Sequence, residues 1–311
     1  MELFDAHCDT LSRCLETGEG LYRNHGHLDL VRTGRFHPYA QIFAVFGDRE
    51  EVGRQQMWRH FQAEYDLFRR EMTENCDMIV PCTAGAGITA ANQMGKAAAL
   101  LSVEGADLLD CEIEKLEEAY RLGVRIVNLT WNYANALSGS HCDEPDRGLS
   151  QTGVDFARKM EQMGMLIDVS HLSDPGFWDV LEAVDCPVIA SHSNARAVFF
   201  HTRNLTDLQI TAIINRNGVI GLNLFPEFLG ERADLDTVIR HLDHMLELGG
   251  EKTVAIGGDW DGITSTPEGI RDITGLELLH EELLRRNYSE QLVKDLFYFN
   301  MMRIVNERCS T

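Results

Sequence analysis

Five side chains of the kinds that bind metal ions stand at or just past the ends of four separate apolar runs in this chain. Leu3-Phe4-Asp5-Ala6 leads into His7-Cys8-Asp9, Ala99-Leu100-Leu101-Ser102-Val103 into Glu104, Leu166-Ile167-Asp168-Val169-Ser170 into His171, and Pro187-Val188-Ile189-Ala190-Ser191 into His192. Alternate side chains of an extended strand face the same way, so His7 and Asp9 should point together while Cys8 turns away toward an outer helix. Imidazole nitrogens and carboxylate oxygens suit zinc and its neighbours, and one carboxylate can bridge two cations. The chemistry this predicts is that of a bound pair of metal ions. Singly, each residue has an ordinary reading, since a lone histidine on an apolar strand is more often a hydrogen-bonded core residue and a glutamate such as Glu104 can be a buried ion-pair partner. As a set, two carboxylates and three imidazoles are explained most simply by cations between them, because buried charge without a partner is costly.

Such residues need elements to bring them together. Eight runs read as strands: 3–6, 39–46, 99–103, 125–129, 165–169, 187–190, 219–224 and 253–256. Helical patterns lie between them at 50–75, 112–122, 151–163, 175–184, 207–217 and 235–248, and glycines at 123, 164, 218 and 249 punctuate the helix-to-strand turns. Strand and helix repeated about eight times is the pattern of a (β/α)8 barrel, whose active sites gather at the C-terminal ends of the strands. The alternative, a doubly wound open sheet, would want a glycine-rich phosphate loop after the first strand, where this chain has Asp5-Ala6-His7-Cys8-Asp9-Thr10. Leucine, methionine and valine spacing over 275–308, with a turn at 287–289, predicts helices that close the barrel. No repeat, linker or low-complexity segment interrupts the series, so a single domain over 1–311 is expected.

A chain of 311 residues with 44% hydrophobic content can bury a sizeable core, and its formal charge of -21 argues against nucleic acid or an anionic membrane surface as a partner. The first residues lack a basic stretch followed by a long apolar one, and no run approaches the length of a membrane helix, so a cytoplasmic location is the expectation. The eight cysteines include no C-x-x-C pair and read as free thiols.

Several motifs, in order, resemble the membrane dipeptidase (renal dipeptidase) family: Asp5-Ala6-His7-Cys8-Asp9, Ser102-Val103-Glu104-Gly105, Leu166-Ile167-Asp168-Val169-Ser170-His171, Val188-Ile189-Ala190-Ser191-His192-Ser193, His201-Thr202-Arg203-Asn204 and Gly257-Gly258-Asp259-Trp260-Asp261-Gly262. The resemblance spans essentially the whole chain. It implies a barrel of the metal-dependent amidohydrolase type and a zinc dipeptidase that carries two zinc ions and acts on dipeptides as a homodimer. It further implies that His7 and Asp9 bind one zinc, that His171 and His192 bind the other, and that Glu104 bridges them. Asp259 then corresponds to the acid/base that handles protons, with Asp261 as a loop residue. Arg203 corresponds to the arginine that holds the free carboxylate of a dipeptide, a task suited to a planar bidentate donor.

Paired cations lower the pKa of a bridging water, so the implied mechanism is attack by a bridging hydroxide on a carbonyl polarised by a metal, with Asp259 passing the proton to the leaving amine. One position departs from the best-known relatives, which have a histidine after Leu-Thr on the fourth strand where this chain reads Leu129-Thr130-Trp131. An indole accepts no proton, so Trp131 is expected to wall the substrate pocket, and any further oxyanion donor is left to a neighbour such as Asn132 or Tyr133. Two other readings stay open: another amidohydrolase-type hydrolase, such as a lactonase or deaminase, and a catalytically silent metal-binding homologue.

Overall fold

The computed structural model describes residues 1–309. Nine strands form: β1 Leu3–Cys8, β2 Tyr39–Phe46, β3 Ile79–Pro81, β4 Ala97–Glu104, β5 Val124–Asn128, β6 Leu166–Asp168, β7 Ile189–Ala190, β8 Val219–Leu222 and β9 Val254–Ile256. Eight of them close a parallel barrel, β1-β2-β4-β5-β6-β7-β8-β9 and back to β1, as the alternation of strand and helix predicts. The ninth, β3, had no counterpart among the expected strands. It pairs with Ala97–Ala99 at the start of β4, along the edge that β5 joins only from Leu101 onward.

Alternation along the strands sorts two apolar layers. Phe4, Ala40, Ile42, Ala98 and Leu100 face one cluster, while Leu3, Tyr39, Phe43, Ala99 and Leu101 belong to the larger cluster shared with the surrounding helices. The first cluster is floored by the last helix, Asn300–Arg308, whose Met301, Ile304 and Val305 are fully buried against those strand residues. Each such side chain contributes roughly 1.5–3 kcal/mol by leaving water. The floor of the barrel is therefore apolar, and the polar strand residues are left to its opposite end.

The outer helices begin on side chains that satisfy their free N–H groups: Ser150 caps Gln151–Gln162, Ser173 caps Asp174–Ala183, Thr206 forms a capping box with Gln209 for Asp207–Asn215, and Asp234 caps Leu235–Glu247. The helix expected over 50–75 is broken in two. A short turn, Arg49–Val52, ends at Gly53 and the long helix runs Met57–Glu74, consistent with glycine's cost of about 1 kcal/mol inside a helix. Among the described residues, no helix is long and apolar enough to cross a membrane.

Candidate metal centre

The strand ends bring all five expected ligands to one point. Over Asp5 to Cys8, β1 carries one residue more than β2 opposite it, and the Asp5 carboxylate steadies this irregularity by accepting the N–H groups of His7 and Gly258, both at 3.1 Å. His7 then turns toward the strand ends, with its Nε2 3.3 Å from Asp9 Oδ2, while Cys8 is buried in the outer layer. Glu104 is the last residue of β4 and divides its two oxygens between two groups. Its Oε2 lies 3.4 Å from His7 Nε2, and its Oε1 lies 2.9 Å from His171 Nε2 and 3.4 Å from His192 Nε2.

This donor set fits cations and little else. Asn132 Oδ1 can only accept, and it lies 2.9 Å from His171 Nδ1. That places the ring proton on Nδ1 and turns the Nε2 lone pair toward Glu104 Oε1 and toward His192 Nε2, itself 2.9 Å away. His7 Nε2 and Asp9 Oδ1 are buried without a hydrogen-bond partner among the described residues. Acceptors facing acceptors repel unless a positive charge sits among them.

The proton affinities tell the same story. Burial opposes charge on His7, but Glu104 and Asp9 outweigh it and push the imidazole well above its usual range. Burial and then the Glu104 charge raise Asp9 well above the ordinary carboxylate value. Burial acts to raise Glu104 too, yet the His7 charge and the close approach of the His171 and His192 rings hold it well below. Burial, reinforced by Arg203, brings His171 down to about 4. Groups a few ångströms apart are thus driven in opposite directions, as expected where ligands await metal.

Asp259 follows β9 with φ at +59°, a conformation unusual for a residue with a side chain. Its Oδ2 accepts from Asn223 Nδ2 at 2.8 Å, and its Oδ1 stands 3.9 Å from His7 Nε2. Burial raises its pKa above the ordinary value. Asp261 points elsewhere, accepting from the Thr10 hydroxyl and the His27 N–H, both at 2.6 Å, so it ties the loop to the first helix. A Cβ on Gly262 would lie 2.1 Å from Asp9 Oδ2 and 2.8 Å from Asp259 Oδ1. Only glycine lets this loop close over the carboxylates.

Beside the cluster opens a cavity of ≈ 260 Å³ lined by Glu104, Asp259, Arg203, Trp131, Phe225 and Phe228, among others. Arg203 is 3% exposed. Its Nη2 donates to the His192 carbonyl at 3.1 Å and its Nη1 to Ser193 Oγ at 3.4 Å, while its Nε has no acceptor. Among the described residues no carboxylate lies within ion-pair distance of this guanidinium, and burial lowers its pKa against the opposing charges of Asp259 and Glu104. Trp131 stacks edge-on against Phe46 at 4.8 Å and Tyr133 at 5.5 Å between ring centres, and forms part of the cavity wall.

The model of the membrane dipeptidase family, peptidase family M19, matches residues 1–310. The chain belongs to that family. Its relatives include an uncharacterised protein of Klebsiella pneumoniae, 35% identical over 72% of this chain and 87% of the relative, and an uncharacterised dipeptidase of Schizosaccharomyces pombe, 32% identical over 89% and 71%. Among solved structures, a metallopeptidase from Rhodobacter sphaeroides, liganded with a phosphinate mimic of the dipeptide L-Ala-D-Ala, is 28% identical, with a TM-score of 0.90 over 100% of this chain and 99% of that one. Membership of this metallopeptidase family brings with it a metal cofactor.

Around the centre of this membrane dipeptidase family member stand residues whose parts sequence reasoning missed, Asn132 having been offered there only as an oxyanion donor. Asp168 Oδ1 accepts the N–H groups of Ser170 at 2.9 Å and Ser191 at 3.1 Å, fastening the ends of β6 and β7 together. Asn223 orients Asp259, and Asn132 holds both His171 and His141, the latter at 2.9 Å. An aspartate inside the apolar run 166–170 was a signal of the first. Asn223 stands one residue past β8, inside the run 219–224 read as a strand, where its polar side chain was passed over, and His141 lies in a loop with no periodicity to mark it.

Proposed function

We propose that the chain is a zinc-dependent dipeptidase that hydrolyses the peptide bond of free dipeptides. What carries this reading is a buried guanidinium without a carboxylate partner, facing across one small cavity a cluster of metal-binding side chains. Such an arginine is costly to keep unless an anion arrives to meet it. A peptide with a free C-terminal carboxylate close to its scissile bond supplies that anion.

In this reading His7 and Asp9 would hold one zinc, His171 and His192 a second, and Glu104, with an oxygen toward each group, would be shared between them. Zinc ions held there would make hydroxide available near neutral pH and polarise the scissile carbonyl. Arg203 fixes the terminal carboxylate through a charge-assisted pair. Asp259 takes the proton of the attacking water on Oδ1 and delivers it to the leaving amine, while Asn223 keeps its other oxygen occupied. Burial suits Asp259 to this task, because a carboxyl group with a raised pKa both accepts and returns a proton. Trp131 walls the pocket and exchanges no proton. The whole chain acting as one barrel domain, a homodimer and a cytoplasmic location belong to the same proposal.

A panel of dipeptides incubated with chelated and zinc-reconstituted protein tests it. Release of free amino acids, lost on chelation and restored by zinc, is the expected result. Turnover of a lactone or an aminated ring with every dipeptide left intact would overturn it.

A further inference from the structure

Ten residues beyond Trp131, in the same loop, His141 completes a chain of hydrogen bonds between the two halves of the site. Its Nε2 lies 2.9 Å from Asn132 Oδ1, the atom that also receives His171 Nδ1 at 2.9 Å. Its Nδ1 lies 2.8 Å from the hydroxyl of Thr202, the neighbour of Arg203. The directions follow from His171. For its Nε2 to offer a lone pair to metal, Nδ1 must carry the proton, so Asn132 presents oxygen and His141 must donate from Nε2. His141 Nδ1 is then an acceptor, and the Thr202 hydroxyl donates to it. The backbone reinforces the link, since the His141 N–H donates to the His171 carbonyl at 2.8 Å and the Ser140 hydroxyl to the Asn132 carbonyl at 2.7 Å.

Both ring nitrogens of His141 are engaged, so it has nothing to offer a substrate directly. We infer that His141 is a positioning residue that sets the distance between Arg203 and the metal ligands, and so the length of peptide the site accepts. Arg203 already rests on the His192 carbonyl. Ser193 Oγ also receives the guanidinium, and Arg196 Nη2 holds the Thr202 carbonyl at 3.2 Å, so the 201–203 turn is tied to residues 192–196. The Thr202–His141–Asn132–His171 chain adds a strut from this turn across to His171, which those contacts do not reach, and so fixes the arginine relative to that side of the centre. The inference rests on the dipeptidase reading for its substrate and on the hydrogen-bond geometry for its mechanism, and the two are tested separately.

The experiment compares wild type with His141→Ala, His141→Gln and Thr202→Val on a dipeptide and the matching tripeptide, with metal content measured for each. His141→Ala should lower kcat/KM for the dipeptide about 10- to 100-fold, chiefly through KM, because a small misplacement of a clamp is felt strongly. It should also shrink the preference for dipeptide over tripeptide, with metal content retained. Glutamine carries a donor and an acceptor, so His141→Gln should recover most of both, and Thr202→Val should behave like the alanine variant. A readout independent of turnover is the ring proton on His171 Nδ1 in protein labelled with 15N-histidine, which should exchange faster with water in His141→Ala than in wild type. Equal losses on both peptides, or a glutamine variant no better than alanine, would overturn the gauge. A His171 ring proton indifferent to His141 would overturn the strut itself. Were the wild type to cleave no peptide while that proton still depended on His141, the dipeptidase reading would fall, and the gauge with it, but the strut would stand.

Discussion

Replacing Arg203 by alanine should uncouple the enzyme from the substrate's terminal carboxylate while leaving the fold almost untouched. The guanidinium spends two donors on His192 O and Ser193 Oγ and keeps Nε without an acceptor. A carboxylate arriving in the cavity would therefore meet a desolvated, pre-oriented cation, for which loss of the partner costs about 2–4 kcal/mol. At 1.36 kcal/mol per factor of ten, this is about a 30- to 900-fold fall in kcat/KM. The stability balance runs the other way. Truncation loses the contact with the Phe228 ring, 5.5 Å from the guanidinium carbon, but also removes a buried charge with no ion-pair partner, which is itself destabilising. The melting temperature should accordingly stay within a few degrees of wild type. The assay is a cycle of four rates: wild type and Arg203→Ala, each on a dipeptide and its C-terminal amide. Wild type should prefer the acid by the factor above, and the variant should treat the two nearly alike. An acid preference that survives the substitution, or a wild type that never had one, would refute the argument.

Other perturbations probe the rest of the site. Glu104→Gln removes the charge shared by both histidine groups, so metal affinity should fall by about 100-fold or more together with activity; full metal occupancy in that variant, measured by elemental analysis, would contradict the bridge. Trp131→Phe should change KM and side-chain preference while leaving kcat within about threefold, whereas loss of a true oxyanion donor costs about 100-fold or more; steady-state kinetics on a panel of L,L and L,D dipeptides separates the two. His241, buried between the Ala195 N–H and the Leu229 carbonyl, has its pKa brought down to about 4 by burial. The unfolded chain takes up this proton below about 6.5 while the folded one does not, so stability is present above that pH and is lost as pH falls toward 4, by up to about 3 kcal/mol. Urea unfolding at several pH values should show that slope in wild type and a flatter one in His241→Gln.

The barrel was legible because its strands are short apolar runs separated by patterned helices and glycine stops, and both signals are local. β3 escaped for the same reason. Three residues ending in Pro81 make too short a run to show a period, and the strand exists only because β4 leaves an edge open beside it. The split of the long helix at Gly53 went unread, since apolar spacing continues across it. In the centre, the ligand candidates stand at strand ends, where sequence position translates directly into place. His141 and Asn132 do not. Their roles depend on which loops meet above the barrel, a matter of tertiary geometry that no spacing along the chain encodes.

The helical floor of the barrel has a consequence for the order of events during synthesis. His7 and Asp9 leave the ribosome well ahead of Met301, Ile304 and Val305, which seal the apolar end beneath Phe4 and Leu100, and at roughly 5–20 residues per second the gap lasts many seconds. Until then the nascent barrel has the proposed ligands but no base. The strands that aim those ligands lack part of the packing that fixes their register, so a competent metal centre should assemble only once the helix Asn300–Arg308 has emerged. A stop codon just before Asn300 would remove no ligand at all, yet it would leave a chain that handles metal as the half-made protein does.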